Sequence, residues 1–464
     1  MSAVLIQRYL ALVCVFGLIF GVNRSGIAQD CDPVFLDHLF DADPDQGSTF
    51  GSCIAISGDM ALIGVMSDVV EGVNTGSVHV FRFDGEHWNF EYRIVPSDGI
   101  QSGSFGVWFS MDGDSLLIGA TGDDDLGERS GSVYAYRYVD GQWTFLQKLM
   151  ASDGQANDGF GTVDLDGDSA VVGAVGRVGS NTTGSAYIFE FDGVAWSEVQ
   201  IISASDAEAG DHFGFSPKLD GNRLVVGAAF QEYFFEVKGG AVYIFDRVGG
   251  HWTESAKLEP ESQELGYAFG FELGLLNDMV MVGDYESVAE GRMGEVVVFE
   301  LVNENWIKTD LLYPKSTKDV SGFGGEIEVS GDVLLVDAPF SNDRAGLVFI
   351  YRLVDGIWIE SGILESPDAS PDQIFGVRMG IDGQRVIASS PDADHSTGTA
   401  YFFDLGCSLC LADLNGDSVL SFEDLLAFLM AFGGLDPVAD FTEDGYFDFF
   451  DISAFLSAFS AGCP

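Results

Sequence analysis

The dipeptide Phe-Gly recurs seven times along this chain, at Phe50-Gly51, Phe105-Gly106, Phe160-Gly161, Phe213-Gly214, Phe269-Gly270, Phe323-Gly324 and Phe375-Gly376, at intervals of 52 to 56 residues. Each copy runs into a tight-turn pair: Gly58-Asp59, Gly113-Asp114, Gly167-Asp168, Gly221-Asn222, Asn277-Asp278, Gly331-Asp332 and Gly383-Gln384. An apolar run follows, ending at or near glycine, as in Leu117-Ile118-Gly119-Ala120. After a variable loop comes an aromatic-rich strand such as Gly131 to Tyr136, and in six units a turn and a tryptophan close the repeat. Short β-branched and aromatic runs cut by Gly/Asp turns read as strands. Four strands per unit, seven times over, is the arithmetic of an all-β, seven-bladed propeller. A linear solenoid needs capping repeats at its ends, and closure of a ring removes that need.

The two ends of the repeat array complement each other. The seventh unit stops after Ala400 to Leu405 and has no tryptophan strand. The segment Val34 to Leu39, followed by Asp41-Ala42-Asp43, matches the missing piece as it stands in Phe145 to Leu149 and Ser152-Asp153-Gly154. The N-terminus is therefore expected to supply the outer strand of the last blade. There the hairpin turn is cut, leaving Cys31 just before one strand and Cys407 just after its partner, so a Cys31–Cys407 disulfide is expected to stand in for the turn. Cys53 matches Trp108 and Val163 in the repeat frame and reads as a buried free thiol.

Phe-Gly, an apolar strand ending in Gly-Ala, and Gly-Ser-Val-Tyr together resemble the FG-GAP repeat family, known from integrin α-chains, over residues 34 to 405. Calcium-binding members of that family carry an Asp-rich loop between the Phe-Gly and Gly-Ala strands. Here the interval shrinks to turns such as Asp112-Gly113-Asp114, too few oxygens for the six to eight that calcium takes. Those aspartates are expected to be turn residues.

Arg8, an apolar run from Tyr9 to Val22 and the small residues of Gly26-Ile27-Ala28 form a secretory signal peptide over residues 1–28, cut before Gln29. The run is short for a membrane span of about 20 residues. Loss of Arg8 and Arg24 leaves 19 basic against 73 acidic residues, a net charge of −54. That surface repels nucleic acid and anionic lipid, so neither is an expected partner, and it suits life among divalent cations. Disorder is not expected, because 47% of residues are hydrophobic. Cys14 leaves with the leader, and the five remaining cysteines are an odd number, so one stays free or pairs with another chain.

Residues 406–464 change character, with no Lys or Arg after Arg385. Two twelve-residue frames carry oxygens at the spacing of an EF-hand loop: Asp413, Asn415, Asp417, Val419, Ser421 and Asp424, then Asp440, Thr442, Asp444, Tyr446, Asp448 and Asp451. Val419 and Tyr446 would contribute backbone carbonyls, the others side chains. Each frame enters an amphipathic helix, with anchors matched 27 residues apart, Leu425/Ile452, Phe428/Phe455, Leu429/Leu456 and Phe432/Phe459. Two calcium ions are the expected cofactor. A duplicated loop-plus-helix with Asp in the twelfth position resembles type I dockerins, and the flanking cysteines are similar to those of C-terminal modules on exported planctomycete-type bacterial proteins. The resemblance implies attachment to a cohesin-like receptor. Phe422-Glu423 and Phe449-Phe450 stand where cellulosomal dockerins carry polar cohesin contacts, which leaves room for another partner. Ser418 replaces a usual loop glycine, Thr442 is a weaker ligand, and Cys410 and Cys463 are placed to staple the module's ends.

No HExxH, G-x-S-x-G or P-loop motif occurs. The chain reads as a non-enzymatic, secreted or cell-surface interaction or adhesion protein, whose partner is a protein or polysaccharide at the cell surface. Tyr233, Phe234 and Phe235 form an aromatic insertion at a loop position and are candidate ligand contacts, or else an extended strand packed into the blade. The alternative of an extracellular polysaccharide-active hydrolase, or a carbohydrate-binding component, stays open because a carboxylate pair is defined by geometry.

Overall fold

Seven four-stranded antiparallel sheets follow one another along the chain, and a second unit holds two helices. In this computed structural model the described residues are 33–41, 49–99, 104–176, 182–208, 210–229, 239–260, 268–285, 294–315, 320–368, 370–391 and 397–406, with 412, 414, 422–434, 437–439, 441 and 446–461 of the C-terminal unit. One compact unit is Cys31–Gly406, and the other includes Cys407–Pro464.

Each blade is built around its Phe-Gly phenylalanine. All seven rings are fully buried. Each meets an aromatic ring of the third strand of its own blade edge-on, as in Phe105–Tyr134 (5.3 Å), Phe213–Tyr243 (5.6 Å) and Phe375–Tyr401 (5.7 Å). That geometry places a positive ring edge on a negative ring face. The glycines do the complementary work of bringing backbones together between blades. At Gly131, φ is +81° and an added Cβ would lie 2.1 Å from the carbonyl oxygen of Phe160 in the next blade. Gly119 meets Gly161 in the same way. A side chain at either place would force the blades apart.

Outer strands are tied by side chain to backbone. Gln147 donates from Nε2 to the Trp196 carbonyl (3.0 Å) and accepts the Trp196 N–H (3.0 Å), and Gln200 makes the same pair of bonds with Trp252 at 2.7 and 2.9 Å. Gln147→Ala removes both bonds of one tie and should lower the unfolding free energy by about 1–2 kcal/mol, read as a shift in the urea midpoint.

The strand Val34–Leu39 pairs antiparallel with Thr399–Asp404, with Val34 opposite Asp404 and Leu39 opposite Ala400, and so takes the outer place in the last blade. Asp37 then reaches the Trp88 amide of the first blade at 3.5 Å, where Gln147 and Gln200 stand at later junctions. Gly398 closes on Phe50 through the contact that Gly131 makes with Phe160. Two small elements were not apparent in the sequence. Val69–Val70 and Val73–Asn74 form a two-stranded hairpin, and Ser341–Arg344 make a tight turn with left-handed backbone at Asn342, Asp343 and Arg344. Among the described residues, no helix is long and apolar enough to cross a membrane.

Candidate functional site

In the C-terminal unit the helices Phe422–Gly434 and Phe449–Ala461 each begin at the end of an acidic frame. Their contact is aromatic. Phe428 and Phe455, one from each helix and 27 residues apart, stack face to face with centroids 4.0 Å apart, and Phe441 meets both edge-on. Asp424 and Asp451, the twelfth residues of the two frames, are both fully buried. In the second frame Asp448 accepts the Phe450 N–H (2.7 Å), and Asp451 reaches back to the Asp448 N–H (2.8 Å), a reciprocal cap on the helix start. Ninth and twelfth residues of that frame are thus already held together at the start of the helix. The Tyr446 side chain points into solvent, as suits a residue proposed to contribute only its carbonyl. Asp413, Asn415, Asp417, Val419, Ser421, Asp440, Thr442 and Asp444 lie outside the described residues, as do Cys31, Cys407, Cys410, Cys463, Tyr233, Phe234 and Phe235.

The donor set fits a hard cation. It is oxygen only, and it buries two carboxylates at equivalent places in a stretch that holds no Lys or Arg. The exposed aromatics stand beside it: Phe422, Phe449 and Phe450 are 74%, 73% and 67% exposed at the two helix starts.

In the propeller, the turns after the Phe-Gly strands are two-residue turns, with no calcium loop. Their preceding aspartates have a role that sequence reading missed. Asp112 accepts the N–H of Gly167 (2.7 Å), Asp166 that of Gly221 (2.6 Å), Asp220 that of Asn277 (2.8 Å) and Asp382 that of Gly58 (2.6 Å), each one blade further on. Recurrence of Asp at one frame position was the available signal. Among the described residues, one acidic trio has oxygens close enough to share an ion: Asp98, Asp123 and Asp125. The Lys148 ammonium occupies that place, at 2.7, 2.6 and 2.7 Å from the three carboxylates. Burial alone would lower the pKa of Lys148, but these bonds outweigh it and hold the ammonium above its usual range.

All seven blades contribute, from or just before their innermost strands, to a cavity of about 190 Å³ on the ring axis. Arg378 crosses it, donating from Nη1 to Glu326 (3.0 Å) and from Nε to the Ser52 carbonyl (3.2 Å), with its guanidinium 4.8 Å from the centre of the Trp108 ring. Lys218 stands 3.7 Å from both Glu272 and Glu328. Burial pushes the carboxyls of Asp164, Glu328, Glu326 and Asp337 above their usual range, the last two well above it. Cys53 lines the same cavity as a buried free thiol, pushed up by burial to about 12 and therefore a poor nucleophile at neutral pH.

Residues 35–81, 88–136, 143–189 and 196–245 match the FG-GAP repeat family. Over these four stretches the propeller is built of FG-GAP repeats. Each matched stretch starts in the outer strand of one blade and ends in the third strand of the next, so the FG-GAP repeat is offset from the blade by one strand. The first match opens on the strand that closes the ring. No curated protein resembles this chain closely enough to match. Among solved structures the chain is similar to Saccharomyces cerevisiae Sqt1, at 12% identity over 75% of this chain and 82% of that one, with a TM-score of 0.45.

Proposed function

We propose that this is a secreted or cell-surface, non-enzymatic interaction protein in which the FG-GAP propeller is a ligand-binding or scaffold body and residues 406–464 are a calcium-folded attachment module. The observation that carries this reading is the pair Asp424 and Asp451, both fully buried at the last position of two matched acidic frames. Bound calcium would supply the counter-charge that such burial requires and would order the loops as it binds. Asp413, Asn415, Asp417, Ser421 and Asp424 would hold one ion, and Asp440, Thr442, Asp444, Asp448 and Asp451 the other, with the Val419 and Tyr446 carbonyls. Residues 1–28 would be the leader. A Cys31–Cys407 bridge would lock the junction between Val34–Leu39 and Thr399–Asp404, and Cys410–Cys463 would staple the module. Val34 pairs with Asp404, which supports the first bridge.

Exposed Phe422, Phe449 and Phe450 favour a receptor with an apolar contact surface, cohesin-like or otherwise, at the cell surface. Chelator should abolish protease resistance of the module in the intact chain and its retention on native envelope, and excess calcium should restore both. Unchanged protease resistance in chelator would sink the calcium reading. Retention that survives deletion of residues 407–464 would instead assign attachment to the propeller.

A polysaccharide-active or carbohydrate-binding role draws on one observation, the protonatable carboxyls of Glu326 and Glu328 in the axial cavity. Glycan turnover or binding lost in Glu328→Gln, with the fold intact, would favour it.

A further inference from the structure

The axial cavity has two unlike walls. With the Phe50 blade as the first, blades 1 to 3 line it with Cys53, Ala55, Trp108 and Val163. Blades 3 to 7 line it with Asp164, Lys218, Glu272, Glu326, Glu328 and Arg378. One arc is thus apolar and aromatic, and the other is ionic. Four carboxyl groups face two cations there, an excess of two acids in a space of about 190 Å³.

The cations present are already shared out. Arg378 is hydrogen-bonded to Glu326 and stacked on Trp108, and Lys218 stands between Glu272 and Glu328. Glu272 also accepts the Ser216 hydroxyl (2.6 Å), and Asp164 accepts the Ser110 hydroxyl (3.2 Å) and the Leu219 N–H (2.7 Å). These neutral donors orient the acids without cancelling their charge. Burial pushes Asp164, Glu326 and Glu328 above the usual carboxyl range, the direction expected of acids short of counter-charge. Burial alone would lower Lys218, but the acids around it hold the ammonium above its usual range.

The same sign extends outward along the axis. The lining runs to Ile56, Met111 and Ile381, each one residue short of the turn-side end of its inner strand. Asp112, Asp166, Asp220 and Asp382 stand at that end of their strands. Such a rim of acids raises the local concentration of cations at that end of the ring. A bare metal ion is nevertheless a poor fit. Among the described residues, the three carboxylates whose oxygens lie within 4.8 Å of one another are Asp98, Asp123 and Asp125, and none of them lines this cavity. The axial acids are spread around the ring from blade 3 to blade 6, so a ligand that meets them must carry its positive charges apart.

We propose that the axial cavity binds a small aliphatic diamine, its two ammonium groups on the carboxylates of the ionic arc and its methylenes against the apolar arc. This names a ligand class for the propeller as a ligand-binding body, and rests on that reading. Two positive charges match the excess of two acids. A hydrocarbon chain suits the Cys53, Ala55 and Val163 wall, which offers few acceptors to the water shell of a metal ion.

The test is calorimetric titration of the intact chain with 1,4-diaminobutane, in millimolar calcium and physiological salt, beside butylamine as a probe of the same chain length with one charge. The diamine should bind at one site and about tenfold or more tighter than the monoamine, the difference that one charged hydrogen bond makes. Glu328→Gln removes one of the two excess acids and should weaken the diamine about tenfold. On binding, hydrogen exchange of the parent should slow in peptides covering 52–57, 107–112, 215–220 and 326–330, and not in 120–150 or 406–464. That readout stands on the parent alone, even where the variant does not fold. The proposal is overturned if diamine and monoamine bind alike, or if protection falls outside the axial strands. A neutral glycan that protects those strands where the diamine does not would also overturn it, while keeping the propeller a ligand-binding body.

Discussion

Replacing Arg378 with methionine should cost about 3–5 kcal/mol of unfolding free energy at pH 8, the usual penalty for stripping one partner from a buried ion pair, and clearly less at pH 5. The guanidinium is four-fifths buried and is hydrogen-bonded to Glu326 and to the carbonyls of Ser52 and Val377. Glu326 is itself 6% exposed, and Asp337 behind it 1%. Without the arginine these carboxylates face a low-dielectric hub with Lys218 as the remaining cation of the cavity lining. The sign with pH follows from the direction of the shifts. Burial holds the folded carboxyls of Glu326 and Asp337 well above their unfolded values. Their contribution is fully present below the ordinary carboxyl range and is lost as pH rises through the raised folded value. Removing Arg378 raises that value further, so the variant's deficit relative to the parent must widen with pH. Urea unfolding of both proteins at pH 5 and pH 8 measures it. Glu326→Gln in the variant background should recover a large share at pH 8, because an amide carries no charge to strand. A deficit that is the same at both pH values would show that lost packing against Trp108, and not stranded charge, sets the cost.

The ring was legible in the sequence because its determinants are contacts that tolerate little substitution. A backbone passing 2.1 Å from where a Cβ would sit permits glycine alone, so Gly131 and Gly119 recur in phase with Phe160 and its relatives. The axial charges were not legible as a group. Lys218 sits in its inner strand and Glu272, Glu326 and Arg378 stand just before theirs, and a charge beside or within such a strand ordinarily marks a solvent face. Seven inner strands converging on one axis turn that face inward, and no local pattern announces it. The turn aspartates show a middle case. Asp112 and Asp166 were expected to be turn residues and instead end the strands that lead into the turns, as Asp220 does, and their acceptor role links units about 55 residues apart and emerges only once the blades are side by side. In the C-terminal unit the reverse holds. The spacing of oxygen-bearing residues in the two frames is a local property and was explicit in sequence, and the fold adds the burial of Asp424 and Asp451 and the cap made by Asp448.

Lys148→Ala should destabilise the second blade by about 3 kcal/mol in calcium-free buffer, and millimolar calcium should restore much of that loss in the variant while leaving the same region of the parent unchanged. The ammonium now bonds three carboxylates, one of them, Asp123, fully buried, and lies 5.0 Å from the centre of the Tyr134 ring. Asp98 comes from the outer edge of the first blade and Asp123 and Asp125 from the second, so the lysine ties two blades as well as neutralising three acids. Truncation leaves oxygens that all lie within 4.8 Å of one another, a spacing one calcium ion with added waters can span. The lysine thus does with a covalently attached cation what a calcium loop does with a bound one. Hydrogen exchange of peptides covering residues 120–150 separates this local response from any effect of calcium on residues 406–464. Adding Asp98→Asn to the alanine variant should weaken the calcium rescue, because one charged ligand is lost. If Lys148→Ala matches the parent without calcium, the three carboxylates are neutralised by protons or solvent, and the lysine is a surface residue of little structural consequence.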